Sequence, residues 1–268
     1  MQRWWPSPFG PDDQLGMLNH VTPRKRLEAL ELVREGRMFD LSRVLDERVP
    51  VFPGRYFRQT LVSTAHHAGG NWITELVTGT MQLGTHLDTL GHLQIGHRGY
   101  NGWSVEELAD GAGLRRLGAE TVPQLLTRGW LVDVAPLGRG DAIGPEVLDG
   151  LEITAGDAVL FHTGWGERWE DADAYLAGQP GPGMALARRL ASLGVALTGC
   201  DTWSYGPVPA EPPFAVPQVL NAHHGVFIAE NLFLSELAAA GVREFALILT
   251  HPKLRGATGA WTAPIALV

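Results

Sequence analysis

Thiol chemistry is almost absent from this sequence, because Cys200 is the only cysteine in 268 residues. An intramolecular disulfide is therefore excluded, and so is a metal cage made of several thiolates. The sequence also lacks a signal-peptide-like apolar segment near Met1 and any run of about 18 apolar residues that could span a bilayer. These absences lead us to expect a cytoplasmic protein that does not associate with membranes.

Basic residues are also fewer than acidic ones, with 21 Lys and Arg against 29 Asp and Glu, and the formal net charge is −8. Because the basic residues form no stripe, the chain would repel a phosphate backbone, and nucleic acid is excluded as a partner. The 33 glycines and 18 prolines instead indicate many turns and loops, where binding sites are usually built. A small-molecule substrate is the expected partner.

The first clear helix signal comes at Thr22 and Pro23, where a capping residue precedes a proline suited to the first helical turn. Gly36 predicts the end of this helix. Its apolar stripe is predicted to consist of Leu27, Leu30 and Val33.

Strand-like segments dominate the first half of the chain, and strands alternate with helices in the second half. Continuous apolar runs predict buried strands over 130–134 and 158–161, and a helix is predicted over 184–193. This mixture favours a single α/β domain with several layers. Within it, we expect an N-terminal arm and helix over residues 1–38 and the main body over residues 39–268.

The segment from Gly84 to His92 contains the residues best suited to catalysis. If the segment is extended, His86 and Asp88 point to the same face, because side chains alternate along a strand. His92 reaches the same space if the intervening residues turn, and Gln82 shares the parity of His86 and Asp88. Imidazole nitrogens with carboxylate and amide oxygens suit a divalent metal. Spacing alone leaves a metal site and a set of hydrogen-bonded structural residues equally open.

Further candidates lie later in the chain, where His223 and His224 precede Glu230. Glu230 and Asn231 are interpreted as the opening of an apolar helical segment, where a carboxylate could simply complement the helix dipole. The other histidines show no ligand spacing and are interpreted as structural or surface residues, namely His20, His66, His67, His97, His162 and His251.

The segment from Gly84 to His92 resembles the signature of the cyclase family, which includes bacterial kynurenine formamidase and isatin hydrolase. That signature reads His-x-Gly-Thr-His-x-Asp-x-x-x-His. Similar blocks recur along nearly the whole chain, at residues 12–19, 100–102, 127–129, 156–160, 162–165, 201–202, 230–232, 256–259 and 264–266. The resemblance is to the longer members of the family and implies a layered, swivelling β/β/α domain of the kynurenine formamidase type.

The resemblance also implies one or two divalent metals and the hydrolysis of an amide, formamide or cyclic amide. By position, His86 and Asp88 fall on metal ligands. Glu230 falls on the late carboxylate ligand and is expected to take part in catalysis. His92 falls on a residue that serves as a second-metal ligand or as a catalytic acid or base.

Two departures from the family pattern affect the expected metal shell. Gln82 stands where the signature has its first histidine, and Gln218 lies near the position of a later one. We therefore expect one divalent ion, manganese or zinc, bound by His86, Asp88, Gln82 and Glu230. His223, His224 or Gln218 would act as a neighbouring or substitute ligand.

The expected function is hydrolysis of an amide, formamide, cyclic amide or lactone by a metal-activated water, with His92 moving the proton. A metal-dependent lyase or cyclase acting on a small carbonyl compound is the first alternative, and a non-catalytic small-molecule-binding relative is the second. Trp72, Trp165 and Trp203 are candidates for the substrate pocket, although large aromatic residues also serve as core. The resemblance implies a homodimer or homotetramer.

Overall fold

The computed structural model describes residues 3–63 and 72–268, so His66 and His67 lie outside the described residues. None of the helices within these two ranges combines the length and the apolar character that a bilayer crossing requires. The helices are α1 (Pro23–Leu30), α2 (Val105–Leu108), α3 (Ala172–Leu176), α4 (Met184–Ser192), α5 (Ala215–Gln218) and α6 (Ser235–Ala239). The strands are β1 (Met38–Asp40), β2 (Phe57–Ser63), β3 (Ile73–Gly79), β4 (His86–Asp88), β5 (Ala109–Asp110), β6 (Gly113–Leu114), β7 (Leu125–Asp133), β8 (Ala142–Ile143), β9 (Ala158–His162), β10 (Gly181–Pro182), β11 (Leu197–Cys200), β12 (Phe227–Glu230), β13 (Glu244–Leu249), β14 (Gly259–Trp261) and β15 (Ile265–Leu267).

A nine-stranded mixed sheet forms the centre of the fold, in the order β1-β15-β13-β7-β9-β11-β12-β4-β14. Its middle strands β7, β9, β11 and β12 are mutually parallel, and the flanking pairs are antiparallel. Three two-stranded sheets, β2-β3, β5-β6 and β8-β10, complete the strand content of the described residues. This α/β architecture agrees with the predicted fold class.

Apolar side chains cover both faces of the central sheet. Leu131 and Leu160 belong to one hydrophobic core, whereas Trp130 and Phe161 belong to a second core on the opposite face, under α4. Strands buried on both faces read as continuous apolar runs. The buried strands predicted over 130–134 and 158–161 are therefore confirmed as parts of β7, which ends at Asp133, and β9. The helix predicted over 184–193 is α4, which ends at Ser192.

The carboxyl ends of the four parallel strands lie along one edge of the sheet. These ends carry Asp133, His162, Cys200 and Glu230. Ligands of open α/β sheets bind outside the carboxyl ends of the strands. The topology therefore places Glu230 at the edge where a binding site is expected.

The N-terminal arm is docked against the body of the protein. The Ser7 amide donates to Asn101 Oδ1 over 2.7 Å, and the Tyr100 hydroxyl donates to Asp13 Oδ2 over 2.6 Å. The Met17 amide donates to the Gly225 carbonyl over 2.8 Å. The arm is thus held by hydrogen bonds, and the division at residues 38 and 39 stays a prediction.

Helix α1 begins as predicted but packs differently. Thr22 accepts a hydrogen bond from the Lys25 amide, and Pro23 is the first helical residue, yet the helix ends at Leu30 and not at Gly36. Leu27 is 63% and Leu30 45% exposed. The predicted apolar stripe is wrong, because the buried residues of α1 are Lys25 and Ala29.

The inward orientation of Lys25 is explained by Asp157, which is fully buried beneath α1. The Lys25 ammonium pairs with Asp157 Oδ1. Arg128 Nη2 donates to Asp157 Oδ2 over 2.8 Å, and Trp130 Nε1 and the Thr154 amide donate over 3.0 and 2.9 Å. A buried carboxylate with several donors is stabilised by charge-assisted hydrogen bonds, so this residue fastens α1 to the sheet.

We expect Asp157→Ala to lower the free energy of unfolding by about 3–5 kcal/mol, because Lys25 would stay buried without its counter-charge. Denaturant titration followed by circular dichroism measures this change. Glu28→Ala is the matched control, since it removes the exposed pair with Arg24 and should cost less than about 1 kcal/mol. Equal stabilities for the two variants would contradict the role given to Asp157.

Candidate metal centre

Strand β4 carries two of the predicted ligands and lies between β12 and β14. The register pairs His86 with Glu230 and Asp88 with Ile228. Residues directly opposite each other share a face, so the side chains of His86, Asp88 and Glu230 project together. Leu87 points to the other face, into the hydrophobic core.

The structure corrects the interpretation of Glu230 as the first residue of a helical segment. Glu230 is the last residue of β12, and the next helix, α6, begins only at Ser235. Its proximity to His86 therefore comes from strand pairing and has nothing to do with a helix dipole.

Three ligand-type atoms converge at this position. His86 Nε2 is 3.3 Å from Glu230 Oε2 and 3.6 Å from Asp88 Oδ1. Ligand atoms of His86, Asp88 and Glu230 all lie within 4.8 Å of one another, and all three residues are buried. Atoms bound at about 2.1 Å to one tetrahedral ion are roughly 3.4 Å apart, so the spacing is compatible with a shared cation.

Two inward-facing atoms of this group have no hydrogen-bond partner among the described residues. His86 Nδ1 is 2.9 Å from the Gly84 carbonyl oxygen, which can only accept, so Nδ1 carries the proton and Nε2 a lone pair. Within the described residues, His86 Nε2 and Asp88 Oδ1 are buried and have no hydrogen-bond partner. Buried polar atoms are normally satisfied, and a cation bound here would account for this exception.

The pKa shifts of His86, Asp88 and Glu230 are also compatible with a bound cation. Burial lowers the pKa of His86, so its imidazole is neutral. Burial also raises the pKa of Asp88, and it raises the pKa of Glu230 to about 7. A divalent cation would compensate both carboxylates and accept the free imidazole nitrogen, so these residues fit one metal ion.

Asn231 orients this group, a role that no spacing in the sequence indicated. Asn231 Nδ2 donates over 2.9 Å to the Gly84 carbonyl that also accepts from His86. Asn231 Oδ1 accepts from the Tyr175 hydroxyl over 2.8 Å, and the Asn231 carbonyl accepts from Thr85 Oγ1 over 2.8 Å. The Gly84 carbonyl is thereby held in the direction that sets the His86 tautomer.

His92 reaches the same space through a turn. Its amide donates to the Thr89 carbonyl over 3.1 Å, and His92 Nε2 is 3.8 Å from Asp88 Oδ1. The His92 side chain is 22% exposed, unlike the three buried ligand residues. It is therefore accessible to solvent and to a bound molecule.

A cavity of about 220 Å³ opens over Asp88, His92 and Glu230. Its remaining lining combines aromatic, apolar and polar residues, namely Phe52, Arg55, Leu93, Trp203, Ser204, Phe214, Pro217 and Gln218. Among these, Trp203 and Gln218 were candidates from the sequence. Phe52, Arg55 and Phe214 were not, because they lie on irregular segments where no periodic pattern marks an inward side chain.

The other tryptophans predicted for the pocket lie elsewhere. Trp165 is only 4% exposed and packs in a buried cluster with Trp169 and Tyr175. Its Nε1 donates to the Tyr175 carbonyl over 2.9 Å, so the structure places Trp165 in the core instead. Trp72 is 46% exposed and does not line this cavity.

Two of the remaining candidate ligands, His223 and His224, lie outside the group, and coordination by Gln82 or Gln218 stays a prediction. Gln82 Nε2 donates to Thr258 Oγ1 over 2.9 Å. His223 and His224 stack on each other with ring centroids 4.2 Å apart, and His223 also packs against Trp4. Within residues 3–63 and 72–268, the cluster with metal-binding geometry consists of His86, Asp88 and Glu230, and neither histidine belongs to it.

Comparison with known proteins relates most of the chain to one family. The family model named Cyclase matches residues 39–207. A crystal structure described as that of a novel cyclase aligns with 97% of this chain and 96% of its own, at 28% identity and a TM-score of 0.89. No curated protein matches the sequence.

Two further solved structures share the fold at lower identity. Isatin hydrolase A from Ralstonia solanacearum aligns over 87% of this chain and 92% of its own, with 20% identity and a TM-score of 0.68. A protein from Bacillus stearothermophilus, described as a predicted metal-dependent hydrolase, aligns over 87% and 98%, with 19% identity and a TM-score of 0.62.

We expect the purified protein to bind Mn²⁺ or Zn²⁺ at one site, and His86→Ala or Asp88→Ala to abolish this binding, because each change removes a ligand atom. Isothermal titration calorimetry with the metal alone measures the effect. His224→Ala is the control and should bind like the wild type. If His224→Ala lost metal binding and His86→Ala kept it, the metal site would lie at His224 and not at His86.

Asn231→Gly should weaken metal binding by about 10- to 100-fold, because the Gly84 carbonyl and His86 would lose their orientation. Glycine tolerates the left-handed backbone at this position, where φ is 56°. Asn101→Gly is a matched control, since Asn101 is also buried and has a φ of 57°. Its side chain donates to a backbone carbonyl of the N-terminal arm, away from the metal centre. The same calorimetric titration applies, and an unchanged affinity for Asn231→Gly would refute the orienting role.

Proposed function

The chain belongs to the cyclase family, and we propose that it is a metal-dependent hydrolase in which His86, Asp88 and Glu230 hold one divalent cation, manganese or zinc. The observation that carries this proposal is the convergence of three buried ligand-type atoms beside an open cavity, and two of these atoms have no hydrogen-bond partner in the part of the chain that the structure describes. Similarity of fold to proteins described as hydrolases supports the same assignment.

The cation would supply Lewis acidity, lowering the pKa of a water molecule and polarising a substrate carbonyl. Three protein ligands are the number that catalytic zinc sites commonly use. The chain's own contribution begins with His86, whose Nδ1–H is held by Gly84, so that Nε2 stays available as a ligand. Asp88 and Glu230 contribute the negative charge that retains the ion.

His92 is the group we assign to proton transfer. Its Nε2 faces the cavity near Asp88 Oδ1, and its side chain remains accessible. A neutral imidazole there can take a proton from the attacking water and deliver it to the leaving nitrogen or oxygen. Asp88 lies close enough to stabilise the imidazolium formed in between.

The bond cleaved is proposed to be an amide, formamide, cyclic amide or lactone. A cavity of about 220 Å³ suits a small molecule. Phe52, Trp203 and Phe214 form an aromatic wall on which a planar ring could stack. The proposed substrate is therefore a small carbonyl compound with a planar part.

We expect the metal-loaded protein to hydrolyse at least one member of a panel of formanilides, isatin-like lactams and aryl lactones, measured by absorbance and product mass. His92→Gln should lower kcat by about 10²- to 10⁴-fold while metal content is retained, because only the proton carrier is lost. His97→Gln is the control, since His97 is exposed and outside the cavity.

Three other outcomes of these measurements would contradict the proposed hydrolase or its mechanism. Tight metal binding without turnover on any ring or amide would favour a binding protein. A ring-closed or dehydrated product would favour a lyase or cyclase. Full activity of the His92 variant would remove His92 from the mechanism.

A further inference from the structure

Arg55 is the one basic side chain other than histidine that lines the cavity within the described residues. It lies just before β2 and is half-buried. Arg55 Nη1 donates to the Gln82 carbonyl over 2.6 Å, and the guanidinium carbon is 5.6 Å from the centre of the Phe52 ring. A guanidinium has five N–H donors, so this single bond leaves most of them available.

Arg55 has no counter-charge in contact among the described residues. Within residues 3–63 and 72–268, Arg55 forms no ion pair, and the acidic residues lining its cavity are Asp88 and Glu230. In the function proposed above, on which this inference rests, those two carboxylates hold the divalent cation. Arg55 would then have no acidic partner left among the described residues that line the cavity.

The shape of the cavity adds a second requirement. Phe52 and Trp203 lie with ring centroids 5.6 Å apart and planes 28° from parallel, and Phe214 meets Trp203 edge-on at 6.3 Å. Aromatic walls of this kind favour a flat ring. Arg55 packs on Phe52, so a ring against this wall would lie beside the guanidinium.

We propose that Arg55 forms an anion subsite and that the cavity takes an aromatic carboxylate. The planar guanidinium matches a carboxylate through two parallel hydrogen bonds, and it is more easily desolvated than an ammonium. The carboxylate belongs either to the substrate itself or to the acid released by hydrolysis. Arg55 is thereby a specificity-determining residue, separate from the ligands of the cation.

Calorimetric titration of the metal-loaded protein with benzoate and benzamide tests the subsite, because the two probes share a ring and differ in charge. We expect benzoate to bind at least about tenfold more tightly than benzamide to the wild type. Arg55→Met should remove this preference, and Arg55→Lys should keep only part of it. Arg58→Met, which removes an exposed arginine of β2 outside this cavity, should leave the ratio unchanged.

An unchanged benzoate preference in Arg55→Met would overturn the proposal, since the cation alone would then bind the carboxylate. Metal titration of each variant shows that the centre is intact, and Arg55→Lys provides a second variant should the methionine form not fold. Failure of the proposed function is distinguishable, because it would appear as absent metal or absent turnover, whereas this inference is tested by equilibrium binding.

Kinetics with 4-formamidobenzoate and formanilide separate the two sources of the carboxylate. If the substrate carries it, KM for 4-formamidobenzoate should be about tenfold lower than for formanilide, and Arg55→Met should abolish the difference. If the released acid provides it, KM values should be equal and benzoate should inhibit the wild type more strongly than Arg55→Met. Equal KM values together with equal inhibition would contradict an anion subsite.

Discussion

The candidate site depends on one electrostatic constraint, which is the burial of two carboxylates and a neutral imidazole within a few ångströms of one another. Loss of hydration raises the pKa of Asp88, and it raises the pKa of Glu230 to about 7. His86 does not offset them as a cation, because burial lowers its pKa and the Nδ1 proton is directed at Gly84. The same atoms that are costly to bury alone become favourable when they surround a divalent ion.

Strand register, more than loop conformation, imposes this constraint. β4 is only three residues long, and a shift of one residue would turn Leu87 towards the cavity and His86 and Asp88 towards the core. Close packing at Gly259, which pairs with Asp88 in the neighbouring strand β14, opposes such a shift. A Cβ at Gly259 would lie 2.9 Å from the Leu87 carbonyl oxygen and 2.6 Å from Gln82 Nε2. The neighbouring strand therefore fits β4 in one register.

The local part of this arrangement could be predicted from the sequence, and the long-range part could not. The period of two along a strand is enough to place His86 and Asp88 on one face. The placement of Glu230 beside them depends on the pairing of β12 with β4, which joins distant segments and leaves no local pattern. Arg55 lies on an irregular segment, and Lys25 of α1 turns inward only because Asp157 is buried beneath it. The spacing of residues along the sequence therefore gives no information on where Glu230, Arg55 or Lys25 lies in the fold.

Gln82 and Gln218, which the family resemblance places at or near expected histidines, bear on the proposed number of ions. Gln82 directs its amide nitrogen to Thr258, and Gln218 lines the cavity as a neutral polar residue. His86, Asp88 and Glu230 are the three strong ligand groups, and their two carboxylates match the charge of a single divalent ion. A second dication would leave an excess of two positive charges, and Arg55 in the same cavity would raise that excess further. With one cation, Arg55 would still have no acidic partner among the described residues of the cavity, and a monoanionic ligand would supply one.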